Sequence, residues 1–191
     1  SYKTSIKRVE FRVVEFLFVG VQKFALTDAS QLLTTISRTP FVPPSEEDKN
    51  DHFDEIFNIV CAGLKKRILH VGSKTALIGI SGGLDSTLAL LFLNQVFNDL
   101  GYPASNILGI SMPGFGTSKR TKNNAKDLLN LLGNSHKEIS IVPAVNQHFK
   151  DIGHDPQDFD ITYENSQARE RTQILMDLAN KKGGLLIGTG D

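Results

Sequence analysis

The residues best suited to chemistry form one short stretch, Ser81-Gly-Gly-Leu-Asp-Ser86. Two adjacent glycines allow a tight turn whose backbone N–H groups point inward, and a helix that starts there adds partial positive charge. The hydroxyls of Ser81 and Ser86 are further donors, so the stretch predicts a phosphate site. Asp85 would repel a phosphate unless a divalent cation such as Mg²⁺ lies between them. We therefore expect a metal–phosphate site with Asp85 as the metal ligand.

Two other phosphate-binding motifs are excluded here. A Walker loop needs Gly-Lys-Ser or Gly-Lys-Thr, but no lysine lies between Lys74 and Lys119, so a standard nucleoside triphosphatase is ruled out. The Gly-x-Gly-x-x-Gly motif of dinucleotide-binding folds is also absent.

The same stretch fits a rival chemistry. Gly79-Ile-Ser-Gly-Gly83 satisfies the Gly-x-Ser-x-Gly pattern of serine hydrolases, in which Ser81 would be the nucleophile. Such an enzyme also needs an acid and a histidine. The candidates are Asp127 followed by His136, His148 or His154. That interpretation assigns no role to Asp85 or Ser86, so it remains the less favoured alternative.

Strand and helix patterns alternate around the glycine-rich stretch. Short apolar runs predict four strands, over Ala76–Ile80, Asn106–Ser111, Glu138–Val142 and Gly184–Gly188. Helical spacing predicts helices after Ser45, after Ser86, after Thr117 or Ser118, from Pro143 and over about Tyr163–Lys182. Alternating strands and helices predict an α/β fold, a parallel sheet with helices on both faces.

Ligands of such sheets bind at the carboxyl ends of the strands. The predicted strands are followed by Ser81–Ser86, Ser111–Ser118, Pro143 onward and Gly188–Asp191. Because the first, second and fourth of these segments are rich in glycine and hydroxyl side chains, we expect them to meet in one binding site.

Composition excludes several classes of protein. The 191 residues carry 21 basic and 21 acidic side chains, without the basic excess expected for binding nucleic acid or an anionic membrane. The single cysteine, Cys61, excludes an internal disulfide framework and a cysteine-based zinc site. The start of the sequence has no signal-peptide pattern. We expect a cytoplasmic protein that binds small molecules.

The first 40 residues differ from the rest. Val9, Phe11 and Val13 alternate with charged residues, which predicts a half-buried strand. Pro40-Phe-Val-Pro-Pro44 predicts a stiff, extended connector. We therefore predict a domain boundary, with residues 1–44 as the tail of another domain and its linker, and residues 45–191 as the main domain.

The motifs resemble a known family. Ser81-Gly-Gly-Leu-Asp-Ser86 is similar to the loop of the ATP pyrophosphatases, which cleave ATP to AMP and pyrophosphate. Three further stretches resemble the NAD synthetase family within that group: Met112–Ser118, Tyr163–Arg171 and Gly188–Asp191. The connector and the helix before Ile80 are similar to the glutamine-dependent form, in which a nitrilase-like glutaminase domain precedes the synthetase domain and supplies ammonia.

The resemblance implies a reaction and a set of site residues. Deamido-NAD, ATP and ammonia would yield NAD, AMP and pyrophosphate, with Ser81 and Asp85 as catalytic residues and Mg²⁺ on Asp85. Asn165 and Arg169, one helical turn apart, would bind deamido-NAD. The ATP-binding residues would be Gly79, Ile80, Ser81, Gly82, Gly83, Leu84, Asp85, Ser86, Met112 and Thr189.

The family's last motif continues beyond the end of this sequence. In the family, a glutamate after that motif completes the metal site, whereas this sequence ends at Asp191. We therefore expect a fragment with an ATP-pyrophosphatase fold incomplete at its C-terminus, weakly active or inactive by itself, from a homo-oligomeric enzyme. Another amidotransferase of the ATP pyrophosphatase group remains the alternative function.

Overall fold

The computed structural model describes residues 38–39, 42–43, 45–117 and 119–189. The chain divides into two compact units, Ser1–Phe41 and Val42–Asp191, and the strands and helices of the described residues belong to the second. The strand predicted around Phe11 lies outside the described residues, as do Pro40 and Pro44 of the connector and the last two residues, Gly190 and Asp191.

Four parallel strands form the sheet: β1 (Ala76–Gly79), β2 (Ile107–Ser111), β3 (Ser135–Glu138) and β4 (Leu185–Ile187). Their order across the sheet is β3-β2-β1-β4. The chain therefore moves outward from β1 to β3 and then crosses back to the other side of β1. In open α/β sheets such a reversal leaves a crevice at the carboxyl ends of the strands, where ligands bind.

In the part of the chain that the structure describes, five α-helices accompany the sheet: α1 (Glu46–Val71), α2 (Leu84–Asp99), α3 (Lys119–Leu131), α4 (Val142–Ile152) and α5 (Ile161–Lys182). Side chains begin two of them, because Ser45 accepts the Asp48 N–H and Asp160 accepts the Tyr163 N–H. A glycine at positive φ ends α5, where Gly183 has φ 59° and its N–H donates to Ala179 and Asn180 carbonyls.

The helices cover both faces of the sheet, as predicted. Ala76 and Ile78 of β1 pack in one core with side chains of α1, α2 and α3, whereas Leu77 between them packs in a second core with Ala179 of α5. This alternation along β1 is the pattern of a strand buried on both faces. Among the described residues, no helix is long and apolar enough to cross a membrane.

The third strand differs from its prediction. Glu138–Val142 was expected from the alternation of Ile139 and Ile141, but β3 is Ser135–Glu138. Both isoleucines pack in cores, and the Ile139 N–H still donates to the Ser111 carbonyl. They belong to the connection into α4. The strand itself has polar side chains, none of them buried, and therefore gives no apolar signal.

Helix α2 begins at Leu84, three residues before the predicted start. Gly83 is its N-cap residue, and Asp85 and Ser86 therefore lie in its first turn. The shift matters for the site because it puts the Asp85 carboxylate on the end of the helix, beside the backbone N–H groups of the turn. The starts of α4 and α5 agree with prediction within about two residues.

Candidate functional site

The glycine loop, residues 80–86, connects β1 to α2 and is held by its own serines. The Ser81 hydroxyl accepts the Gly83 N–H at 3.1 Å and lies 3.1 Å from the Ser86 hydroxyl. Ser86, which is buried, also accepts the Ser81 N–H and donates to the Gly83 carbonyl. Gly82 has φ 81°, a conformation that favours glycine. The two serines therefore shape the turn from within.

The first turn of α2 keeps its backbone donors available. Gly83 makes no side-chain capping bond, so the N–H groups at the start of this helix have no side-chain acceptor there. Such groups, together with the helix dipole, favour a bound anion. Asp85 in the same turn is exposed, which leaves its carboxylate accessible to a cation.

The end of β1 passes closely under its neighbours. A Cβ at Gly79 would lie 3.0 Å from Leu175 Cδ1 of α5 and 3.4 Å from Met112 Cε. A side chain at this position would push against both. Glycine at this position therefore allows the end of β1 to pack directly against α5 and against Met112, which follows β2. This close packing closes the bottom of the site.

A second wall comes from the end of β2 and the segment after it. The Ser111 hydroxyl is buried and lies 3.0 Å from His136 Nε2 of β3. Beyond it, the Gly114 N–H donates to the Thr117 hydroxyl at 2.9 Å, which closes a tight turn. We name residues 112–117 the β2–α3 loop.

Helix α5 provides a third wall and a positive charge. The Arg171 Nε–H donates to the Met112 carbonyl at 3.4 Å. Burial lowers the pKa of Arg171, and the Glu164 carboxylate opposes that shift. The ordinary pKa of arginine lies so far above neutrality that the guanidinium remains charged.

These three walls enclose a cavity of about 480 Å³. Seven of the predicted ATP-site residues line it: Gly79, Ile80, Ser81, Asp85, Ser86, Met112 and Thr189. The other three predicted residues, Gly82, Gly83 and Leu84, belong to the same loop but do not line the cavity, and the Leu84 side chain is 81% exposed. The structure thus brings together the ends of β1, β2 and β4, as the sequence predicted.

Asn165 and Arg169 lie elsewhere. Both are exposed on the outer face of α5, where they line a separate groove with Met176 and Asp177. They share one face, as their spacing predicted, but that face does not line the cavity. Their role in binding deamido-NAD stays a prediction.

Sequence reasoning gave no role to Arg171, which lines the cavity, and none of its own to Ser111, which lies in the predicted segment Ser111–Ser118. Arg171 belongs to the stretch Tyr163–Arg171 but was not among the predicted site residues. A usable signal existed, because Tyr163, Gln167 and Arg171 recur every four residues and therefore share one face of α5. Tyr163 and Gln167 are buried. An aromatic residue such as Tyr163 marks the buried face of α5, and Arg171 could have been placed on that face by its spacing.

The chemistry of the cavity fits a magnesium–nucleotide complex. Asp85 offers one carboxylate, and Mg²⁺ is commonly held by one or two carboxylates together with substrate phosphates. The described residues contain no group of three His, Cys, Asp or Glu side chains that could hold a metal without such a substrate. Arg171 is the one cationic side chain among the described residues that line the cavity.

The geometry does not support a serine hydrolase. The Ser81 hydroxyl is engaged with Ser86 and Gly83, and His136 is engaged with Ser111. Within the described part of the chain, no histidine hydrogen-bonds the Ser81 hydroxyl. A nucleophilic serine needs such a base within reach.

Comparisons with known proteins agree with the geometry. A family model described as NAD synthase matches residues 56–191. The glutamine-dependent NAD(+) synthetase of Mycobacterium leprae is 40% identical over 164 residues, which are 84% of this chain and 24% of that protein. The NH(3)-dependent NAD(+) synthetase of Pyrobaculum aerophilum is 29% identical over 73% of this chain and 50% of that protein.

A solved structure shares the fold. The glutamine-dependent NAD+ synthetase from Acinetobacter baumannii, in complex with ADP, superposes with a TM-score of 0.67 and 28% identity, over 73% of this chain and 26% of that chain. The chain spans about a quarter of the length of the glutamine-dependent relatives it matches first. The family match over residues 56–191 covers more than half of the sequence, and the chain therefore belongs to the NAD synthase family.

Proposed function

We propose that the protein carrying this chain makes NAD by amidating deamido-NAD at the expense of ATP. A carboxylate oxygen of the nicotinic acid ring attacks the α-phosphorus of ATP, and pyrophosphate leaves. Ammonia then attacks the carbonyl carbon of the adenylate, loses a proton and displaces AMP. In the full-length enzyme the ammonia comes from glutamine, which a preceding domain hydrolyses.

One observation carries this proposal. Three of the four segments that resemble the family come from distant parts of the sequence and line a single cavity, to which they contribute Asp85, Met112 and Thr189. Independent coincidences would scatter such segments over the surface. The ADP in the Acinetobacter baumannii enzyme, which is similar in fold, further supports an adenine nucleotide as the occupant.

Different residues of the cavity would bind different parts of ATP. The N–H groups at the start of α2 would bind the phosphate oxygens of ATP. Ser81 and Ser86, whose hydroxyls are engaged within the loop, would hold those groups in position. Thr189 and main-chain atoms at Ile110 to Met112 would hold the adenosine. Arg171 would add a fixed positive charge to the same cavity, where negative charge grows as pyrophosphate leaves.

Asp85 would hold Mg²⁺. The bound ion supplies charge neutralisation on the phosphates and lowers the cost of pyrophosphate departure. The exposed Asp85 carboxylate, in the first turn of a helix that also binds the phosphates, suits that role because metal and phosphate share one small volume.

Asn165 and Arg169 would bind deamido-NAD. Because they face away from the cavity, we propose that they act toward the site of a second subunit in a homo-oligomer. We further propose that residues 1–44 are the tail and linker of a nitrilase-like glutaminase domain, that residues 45–191 belong to the synthetase domain, and that the enzyme works in the cytoplasm.

The test is a product analysis of the full-length protein that carries this sequence. Incubation with Mg²⁺, ATP, deamido-NAD and ammonia should yield NAD, AMP and pyrophosphate in equal amounts. Replacing deamido-NAD with aspartate or a nucleotide acceptor should abolish AMP formation. ADP and phosphate as products, or amidation of another acceptor instead of deamido-NAD, would contradict the proposal.

A further inference from the structure

The β2–α3 loop is attached to α5 at successive residues. The Met112 carbonyl accepts the Arg171 Nε–H at 3.4 Å, and the Phe115 N–H donates to Gln167 Oε1 at 3.4 Å. Both bonds join loop backbone to side chains of α5 one helical turn apart. They are long, so their importance depends on how the loop packs between them.

Gly114 lies between these two bonds and makes the close approach possible. A Cβ at this position would lie 2.5 Å from Gln167 Oε1, 2.8 Å from Arg171 Nη2 and 3.2 Å from Ile141 Cδ1. The first two distances are shorter than real Cβ contacts. Any larger residue would therefore push the ends of the Gln167 and Arg171 side chains away from the loop.

Gln167 is built into this contact. It is only 5% exposed, and its Nε2–H donates to the Tyr163 carbonyl at 3.3 Å while its Oε1 accepts from Phe115. A buried amide with donor and acceptor both engaged is held in one orientation. It therefore presents its oxygen to the loop and not to solvent.

Aromatic packing holds the far end of the loop. The Phe115 ring lies 5.6 Å from the Tyr163 ring and 6.3 Å from the Phe149 ring, measured between centroids. Phe149 and Tyr163 belong to the core between α4 and α5. Phe115 thus extends that core onto the loop, although its side chain remains 37% exposed.

The attached loop is also a wall of the nucleotide cavity. Met112, Pro113 and Thr117 line it, together with Arg171 itself. A displacement of the loop from α5 would therefore widen the cavity on one side only. The glycine loop, on the opposite wall, makes its own bonds through Ser81 and Ser86 and would keep its shape.

We propose that Gln167 and Arg171 are positioning residues, which hold the β2–α3 loop on α5 through the close approach at Gly114 and thereby set the affinity of the cavity for ATP. The proposal rests on the proposed function for the identity of the nucleotide. It predicts a selective effect: the KM for ATP changes, while kcat and the KM for deamido-NAD change little.

The first experiment compares two glycine substitutions in the full-length protein. Gly114→Ala should raise the KM for ATP about tenfold, the cost of roughly one lost positioning contact, with kcat within about threefold of the parent. Gly63→Ala is the matched control, because a Cβ at this position of α1 meets no atom within 4 Å. It should leave the KM for ATP unchanged.

The second experiment measures attachment of the loop without any nucleotide. Gln167→Met keeps the length of the side chain but removes both hydrogen bonds of the side-chain amide, those with Phe115 and Tyr163. Chymotrypsin should then cut after Phe115 several times faster than in the parent, with the fragment identified by mass spectrometry. Gln95→Met, at an exposed position of α2, is the control and should not change the rate.

The outcomes are distinct. Equal KM values for ATP in Gly114→Ala and Gly63→Ala, or an unchanged cleavage rate in Gln167→Met, would overturn the proposal. A fall in kcat and a rise in both KM values together would also overturn it, since that pattern indicates general damage. If the parent protein neither binds ATP nor forms NAD, the proposed function fails, and the cleavage assay still tests attachment of the loop.

Discussion

Arg169 and Arg171 lie two positions apart on α5 and have different surroundings. Arg169 is exposed in the outer groove, whereas Arg171 is partly buried, donates to the Met112 carbonyl and lines the cavity at the strand ends. Two residues correspond to about 200° around a helix, so the two side chains must point to nearly opposite faces. The stretch Tyr163–Arg171 therefore contributes side chains to both the outer groove and the cavity. The residue type alone does not tell which arginine lines which surface.

The largest difference between the two faces should be seen in ATP binding. Arg171→Gln should weaken the binding of Mg²⁺–ATP by about ten- to a hundredfold, because it removes a partly buried charge and its bond to the loop. Arg169→Gln should leave that affinity within about twofold, since an exposed cation outside the cavity contributes little. Calorimetric titration of both variants measures the comparison.

Equal losses in the two arginine variants would mean that the outer face of α5 also contacts ATP. The assignment of faces would then be wrong. A loss in Arg169→Gln alone would reverse it.

A smaller difference should be seen in stability. Leu175 packs with Leu77 and Ile110 in the core beneath α5, and its neighbour Met176 is 55% exposed. Leu175→Ala should lower the free energy of unfolding by about 1.5 kcal/mol, a reduced value because Leu175 is only partly buried. Met176→Ala should change it by less than about 0.5 kcal/mol.

Urea unfolding of the two variants gives these numbers. Similar losses at both positions would indicate that the outer face of α5 is covered by another part of the protein or by a second subunit. That result would sharpen the comparison, because Asn165 and Arg169 share the outer face.

The sequence predicted the strands whose buried side chains form runs of apolar residues. β1, β2 and β4 are apolar because their side chains pack in the cores between the sheet and the helices, and their positions agree with prediction within about one residue. β3 was misplaced because Ser135-His-Lys-Glu138 is polar and none of its side chains is buried. Ile139 and Ile141, which produced the wrong prediction, pack in cores from the connection after β3, Ile141 fully and Ile139 partly buried.

The sequence predicted the site residues that follow strands, but not those that come from helix α5. The glycine loop, Met112 and Thr189 follow strands directly, so the rule for parallel sheets places them together. Arg171 comes from the middle of a helix, where only the rotation of α5 decides which residues face the cavity. Glycine is needed at position 114 only because Gln167 and Arg171 lie so close to it. No local sequence pattern predicts a contact between residues about 50 positions apart.

The most direct test of the account is a calorimetric titration of ATP with Mg²⁺ into the parent protein, Asp85→Asn and the control Asp99→Asn. Asp99 lies at the other end of α2 and bonds Gln95. The account predicts that Asp85→Asn loses at least about tenfold in affinity, because it removes the metal-binding carboxylate, while Asp99→Asn binds like the parent. Binding by Asp85→Asn at the affinity of the parent would contradict the claim that this cavity is a magnesium–nucleotide site.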